Sequence, residues 1–94
     1  MNRFRWWVLG ISLGCLVPMV ADAADPGFCG DYARAAVNQA RIGYSVPYCA
    51  PGMRGARWSE NFRTHYDWCL GAPYGAAQSE REIRREYLIS CRGR

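Results

Sequence analysis

Three stretches of the chain repeat apolar positions at helical spacing, and each carries a cysteine on its apolar face. In the first, Cys29, Ala33, Ala36 and Ala40 follow one another at i, i+4, i+7 and i+11, flanked by Tyr32 and Val37, with Arg34, Asn38 and Arg41 opposite. Gly43 is placed to end this element as a C-cap glycine, so the pattern predicts a helix over about 29–42. The second stripe is Phe62, Tyr66 and Cys69, with His65 and Leu70 at its margins. Ser59 is its expected N-cap, Glu60 meets the positive end of the helix dipole, and Gly71 and Pro73 stop it, giving about 60–70. In the third, Ile83, Tyr87 and Cys91 lie at i, i+4 and i+8, Glu80 and Arg84 form an i, i+4 pair, and Arg81, Arg85 and Glu86 turn to water. This element starts near Ala76 or at Ser79, where Ser79-Glu80-Arg81-Glu82 has capping-box spacing, and Arg92 and Gly93 close it, for a helix over about 76–91. No stretch alternates as a strand would. The expected fold class is all-α: a small three-helix, disulfide-stapled domain.

Between the first two helices, Gly43 to Trp58 holds Pro47, Pro51, Gly52 and Gly55 and reads as an irregular connection. A loop this long in a compact domain is usually functional or pinned, and Cys49 near its middle supplies a pin. Ahead of the helices the pattern is different. Met1 to Trp7 contains two arginines and no acid, and Val8 to Val20 carries no charge. This is the build of a secretory signal, with small residues at Ala21 and Ala23 where signal peptidase needs them, so cleavage is expected after Ala23. As an uncleaved anchor the segment is short of the ~20 apolar residues that cross a bilayer. A lipoprotein signal at Cys15 would want leucine where Ser12 stands.

Without residues 1–23, ten arginines, seven acids and four cysteines remain, a net charge of +3, and there is no lysine. A single domain of about 70 residues is the ceiling, which excludes a large enzyme. An even cysteine count in a small exported chain reads as a disulfide framework, because the compartment is oxidising and so small a core needs cross-links. Cys29, Cys49, Cys69 and Cys91 are spaced too widely for a C-x-x-C zinc or redox unit. If the helices run up, down and up, Cys29 meets Cys69 and Cys49 meets Cys91. The long loop would instead allow another pairing if it carried the second helix back to the starting end.

His65 is the only histidine, four residues before Cys69. A cystine offers no thiolate, and His65 with Met53 and scattered carboxylates is too small a set for structural zinc, although a weak copper site is conceivable. No cofactor is expected. The acids Asp25, Asp31, Glu60, Asp67, Glu80, Glu82 and Glu86 fall mostly at helix starts or on solvated faces, and His65 has no evident serine or free-cysteine partner, so no catalytic set emerges. Arg57, Trp58 and Trp68 are the most suggestive binding residues, because exposed tryptophan and arginine anchor interfaces. The structural alternative has Trp58 and Trp68 roofing the core. Nucleic acid is disfavoured as a partner, since the arginines are spread over all three helices among acids.

Cys29-Gly30-Asp31-Tyr32-Ala33-Arg34 with Ala36-Val37 and Gln39, then Arg57-Trp58-Ser59, Phe62, His65 and Trp68-Cys69, then Glu82, Leu88 and Cys91, resemble a short four-cysteine module of exported bacterial proteins of unknown function. The resemblance covers nearly all of the chain after the leader. It implies an exported scaffold and brings no activity or site with it. The expected function is therefore a periplasmic or secreted, non-enzymatic binding or accessory module acting on an envelope or extracellular protein or polymer, touching membrane only through an uncleaved leader. The alternatives are a periplasmic copper-binding protein and a secreted toxin or inhibitor.

Overall fold

The computed structural model describes residues 23–93; the expected leader, Cys15 included, lies outside the described residues apart from Ala23. Among the described residues three helices carry the fold: α1 (Pro26–Tyr44), α2 (Phe62–Leu70) and α3 (Tyr74–Arg92). Two single 3₁₀ turns, Ala50–Gly52 and Ala56–Trp58, shape the connection between α1 and α2. The all-α, three-helix, disulfide-bonded architecture is the one the periodicity predicts. Among the described residues, no helix is long and apolar enough to cross a membrane.

The helix ends differ from the expected ones for local reasons. α1 begins earlier because Asp25 caps it, its Oδ1 accepting from the Phe28 N–H at 2.8 Å, while Pro26 contributes a pre-set φ and no orphan N–H. Gly43 is no C-cap. It lies inside α1, where a Cβ would stand 2.5 Å from Met53 Sδ and 3.0 Å from Leu88 Cδ2, so the missing side chain is what lets the loop and α3 close on the helix. α2 starts at Phe62 and is capped by Asn61, whose side chain accepts from the Arg63 N–H at 2.8 Å. Ser59, the expected cap, supports that turn from outside by accepting from the Asn61 N–H at 3.0 Å. α3 starts at Tyr74, with the N–H groups of Ala76 and Ala77 donating to the Pro73 carbonyl, and it runs through Ser79 without a break. The capping box is unused.

Two cystines centre two clusters of buried side chains. Cys29–Cys69, with Cα atoms 5.6 Å apart, ties the start of α1 to the end of α2 and is surrounded by Ala24, Tyr32 and Ala77. Cys49–Cys91, with Cα atoms 5.1 Å apart, ties the long loop to the end of α3 and is packed by Ala40, Met53, Trp58 and Leu88. This is the pairing that an up, down, up arrangement favours. Each closes a loop of about 40 residues and contributes roughly 4 kcal/mol in the chain-entropy account. Ala24 is drawn into the first cluster, its N–H donating to the Ala72 carbonyl at 3.1 Å.

The buried face of α3 is Ala77, Arg84, Leu88 and Cys91. The expected stripe of Ile83, Tyr87 and Cys91 is rotated by one position, and Ile83 is 41% exposed. Along α3, Arg84 falls between the residue that joins the first cluster and the residues that join the second. A polar layer therefore separates the two cystine-centred cores.

Candidate functional site

A partly open cleft of about 350 Å³ lies over this polar layer, lined by residues from all three helices and the long loop. Its position follows from the two staples. Cys69 holds α2 against α1, which sets Trp68 beside Tyr32 with ring centroids 5.7 Å apart. Cys49 holds the loop against α3, and the loop then delivers Arg54 and Arg57 to the rim. Gly55, at φ +85°, makes the reversal between these two arginines, a backbone angle that other residues adopt only under strain.

Of the three residues singled out for binding, the cleft gathers two. Arg57 and Trp68 both line it, and Trp68 is 44% exposed. Trp58 is withdrawn from the expected surface: it is 5% exposed and packs in the second cluster, its ring 5.2 Å from that of Tyr87. The arginine and the tryptophan that adjoin in sequence point to different tasks because a 3₁₀ turn throws consecutive side chains to different sides.

Arg57 is held in a two-point fork with Glu80 on α3. Its Nε–H donates to Glu80 Oε1 at 2.7 Å and its Nη2 to Oε2 at 3.0 Å. That bond holds the Glu80 carboxyl below the usual carboxylate range, with the Arg57 and Arg84 charges adding to it against the effect of burial. The same hydrogen bond raises the Arg57 guanidinium further. Glu80 stays ionised.

Arg84 is the group that sequence reading missed. It is 1% exposed, donates from Nε to Gln39 Oε1 at 2.7 Å, and lies with its guanidinium carbon 5.1 Å from the centre of the Tyr32 ring. Glu80 Oε1 is 3.9 Å from its Nη1, and Nη2 is buried with no hydrogen-bond partner. A buried donor left without an acceptor costs about 1–3 kcal/mol, and more when it is charged. The signal was available: counting back from Cys91 by three, seven and fourteen gives Leu88, Arg84 and Ala77, one face of a helix. Ile83 outranked arginine on hydrophobicity, yet a guanidinium stem fills an apolar groove as well as an aliphatic chain does.

His65 lies deeper than the helix margin where the pattern puts it, at 4% exposed. Its Nε2–H donates to the Ser59 carbonyl at 2.7 Å, and its ring meets Tyr32 edge-on at 6.4 Å between centroids. Burial pushes its pKa below the ordinary value, against the opposing pull of the Ser59 carbonyl and with help from the Arg84 charge, so the ring is a neutral tether for the exit of the loop. Met53, its suggested companion for copper, is committed to the second cluster. Among the described residues no three His, Cys, Asp or Glu side chains come together as a metal site would require.

Chemically, the cleft offers three guanidinium groups and one carboxylate against an aromatic wall. It is a positive concavity with planar donors, suited to holding an anion by geometry as well as by charge. Comparison of the chain with protein-family models, with curated proteins and with solved structures finds no match in any of the three.

Proposed function

We propose that this chain is an exported, disulfide-stabilised binding module that engages its partner through the Arg57–Trp68 cleft and performs no catalysis itself. The observation that carries the reading is the convergence of Arg57 and Trp68 on one concavity, when the two are eleven residues apart and delivered by different elements. A half-exposed tryptophan beside arginine is the composition of an interaction hot spot. Two disulfides in so small a domain suit an oxidising compartment outside the cytosol.

Support for a non-catalytic role comes from how the proton-transfer groups of the cleft are engaged. His65 has its Nε2–H committed to a backbone carbonyl, and Glu80 is locked in its charged form by Arg57. Glu80 is therefore not poised to exchange a proton near neutral pH.

The test is capture from envelope extracts by the immobilised oxidised protein. Arg57→Ala and Trp68→Ala leave the helical circular dichroism intact and lose the captured partner. Undiminished capture by both variants refutes the reading.

A further inference from the structure

We propose that the cleft recognises an oxyanion, a carboxylate or phosphate group, borne on a flat apolar body, and that Glu80 is the internal carboxylate that occupies the guanidinium fork until that ligand arrives. The inference rests on the binding-module reading above and names the chemistry of what is bound.

Four features of the cleft point to it. First, three arginines face a single carboxylate, so Arg54, Arg57 and Arg84 leave the concavity with an excess of two positive charges while His65 is neutral. Second, Arg84 is buried with Nη2 lacking any acceptor, although burial of a guanidinium ordinarily requires every donor to be met. Nη2 is closed to solvent, so what Arg84 offers the cleft as it stands is positive charge at the wall. Third, Arg54 makes no ion pair or side-chain hydrogen bond among the described residues and stands free on the rim. Fourth, the cleft has an accessible aromatic face in Trp68, 44% exposed and backed at 5.7 Å by the buried Tyr32 ring, which suits a flat apolar group. The volume of about 350 Å³ fits a small organic anion or the end of a peptide.

Glu80 gives the proposal its sign. In a purely structural ion pair, replacing Glu80 would loosen the site and weaken any ligand. In a site where Glu80 stands in for the ligand, the same change releases the Arg57 fork and removes the repelling charge, so an anion binds more tightly.

The oxidised full chain is titrated with 3-phenylpropionate, phenyl phosphate and the neutral 3-phenylpropionamide, followed by calorimetry and by the fluorescence of tryptophan. Expected are saturable binding of at least one anion, binding of the amide weaker by a factor of about ten or more, and loss of about tenfold in affinity in Arg57→Gln. Glu80→Gln tightens the anion several-fold, with the thermal unfolding of both variants checked to show that they are folded. Preference for phenylpropionate assigns a carboxylate source, and preference for phenyl phosphate a phosphoryl source. Equal binding of amide and anions, absence of saturable binding by either anion, or weaker binding in Glu80→Gln overturns the proposal. If the anions fail while partner capture still depends on Arg57 and Trp68, the ligand class falls and the binding module stands. If the anions bind as expected and nothing is captured, the reverse holds.

Discussion

Replacing Arg84 by methionine separates a residue kept for structure from one kept for a ligand. Methionine matches the reach of the arginine stem and carries no donor. The change removes the bond to Gln39 at 2.7 Å, roughly 1.5–3 kcal/mol as a charge-assisted hydrogen bond. It also removes the placement over Tyr32, about 0.5–2 kcal/mol. The Glu80 contact at 3.9 Å adds little, because that carboxylate is already held by Arg57. Against these losses stands the desolvation of a fully buried guanidinium, several kcal/mol, of which the unmet Nη2 accounts for about 1–3 kcal/mol. The opposing sums are of equal size or favour the apolar residue. Gln39 is only half-buried, so water replaces its lost donor.

The expected outcome for Arg84→Met is stability between unchanged and about 2 kcal/mol higher. Arg84→Ala, which empties the groove, loses about 2–5 kcal/mol as other large-to-small core changes do. Urea unfolding followed by far-ultraviolet circular dichroism, with the disulfides intact, measures both. At this chain length 1 kcal/mol moves the thermal midpoint by about 4–8 °C, so the methionine variant is resolved by heat as well. In the same variant the anion titration loses its saturable phase. A loss of more than about 2 kcal/mol in Arg84→Met refutes the reasoning, since it makes Arg84 a structural clasp whose bonds outweigh its burial.

Two further outcomes follow from the cystines and from His65. Cys49→Ser with Cys91→Ser, and separately Cys29→Ser with Cys69→Ser, each lower stability by about 4 kcal/mol, a large share of the total for a domain of this size, so reduction with dithiothreitol unfolds the helices; a reduced protein that keeps the oxidised urea midpoint contradicts this. The His65 pKa is lowered on folding, so its contribution is complete above the unfolded value of 6.5 and is lost as pH falls below it, by no more than about 1.4 kcal/mol per pH unit. The Glu80 contribution is likewise complete above its ordinary value of 4.5 and lost below it, which keeps the two effects apart. Urea midpoints of the native chain fall between about pH 7 and pH 5.5 while those of His65→Gln stay level; a flat native profile removes the buried neutral imidazole from the account.

Cysteine position made much of the fold legible in the sequence. A cystine must face inward, so Cys29, Cys69 and Cys91 each mark the buried face of their helix, and the rest of α1 follows from the alanines at matching spacing. The count failed where a second apolar residue competed with the cysteine for that role. Ile83 drew the predicted stripe off Arg84, and Phe62 suggested a face for α2 that in fact buries His65. Helix starts were less legible because several residues near each start were able to cap: Asp25 and Asn61 act, while Ser59 and Ser79 do not. Of the site, Arg57 and Trp68 stood out by type. Their meeting with Arg84, Tyr32 and Glu80 depends on which way a 3₁₀ turn throws its side chains and on pairing across about forty residues, and neither leaves a local trace.

The two cystines also divide the labour of building the cleft, which bears on why so small a domain holds both. Cys29–Cys69 sits next to Tyr32 in the first cluster and next to Trp68 in the chain, so it fixes the aromatic wall. Cys49–Cys91 fixes the loop that carries Arg54 and Arg57, helped by the Tyr87 hydroxyl donating to the Cys49 carbonyl at 2.7 Å. Between them α3 contributes Glu80 and Arg84, on a helix held at one end by Ala77 in the first cluster and at the other by Cys91. A single merged core would bury more apolar surface and would leave Arg84 no place. Splitting the core instead keeps a charged layer at the waist of the domain, and the cross-links offset the stability that such a layer gives up. The covalent framework and the polar centre are thus two parts of one arrangement: the first makes the second tolerable, and the second lines the cleft to which the proposed recognition is assigned.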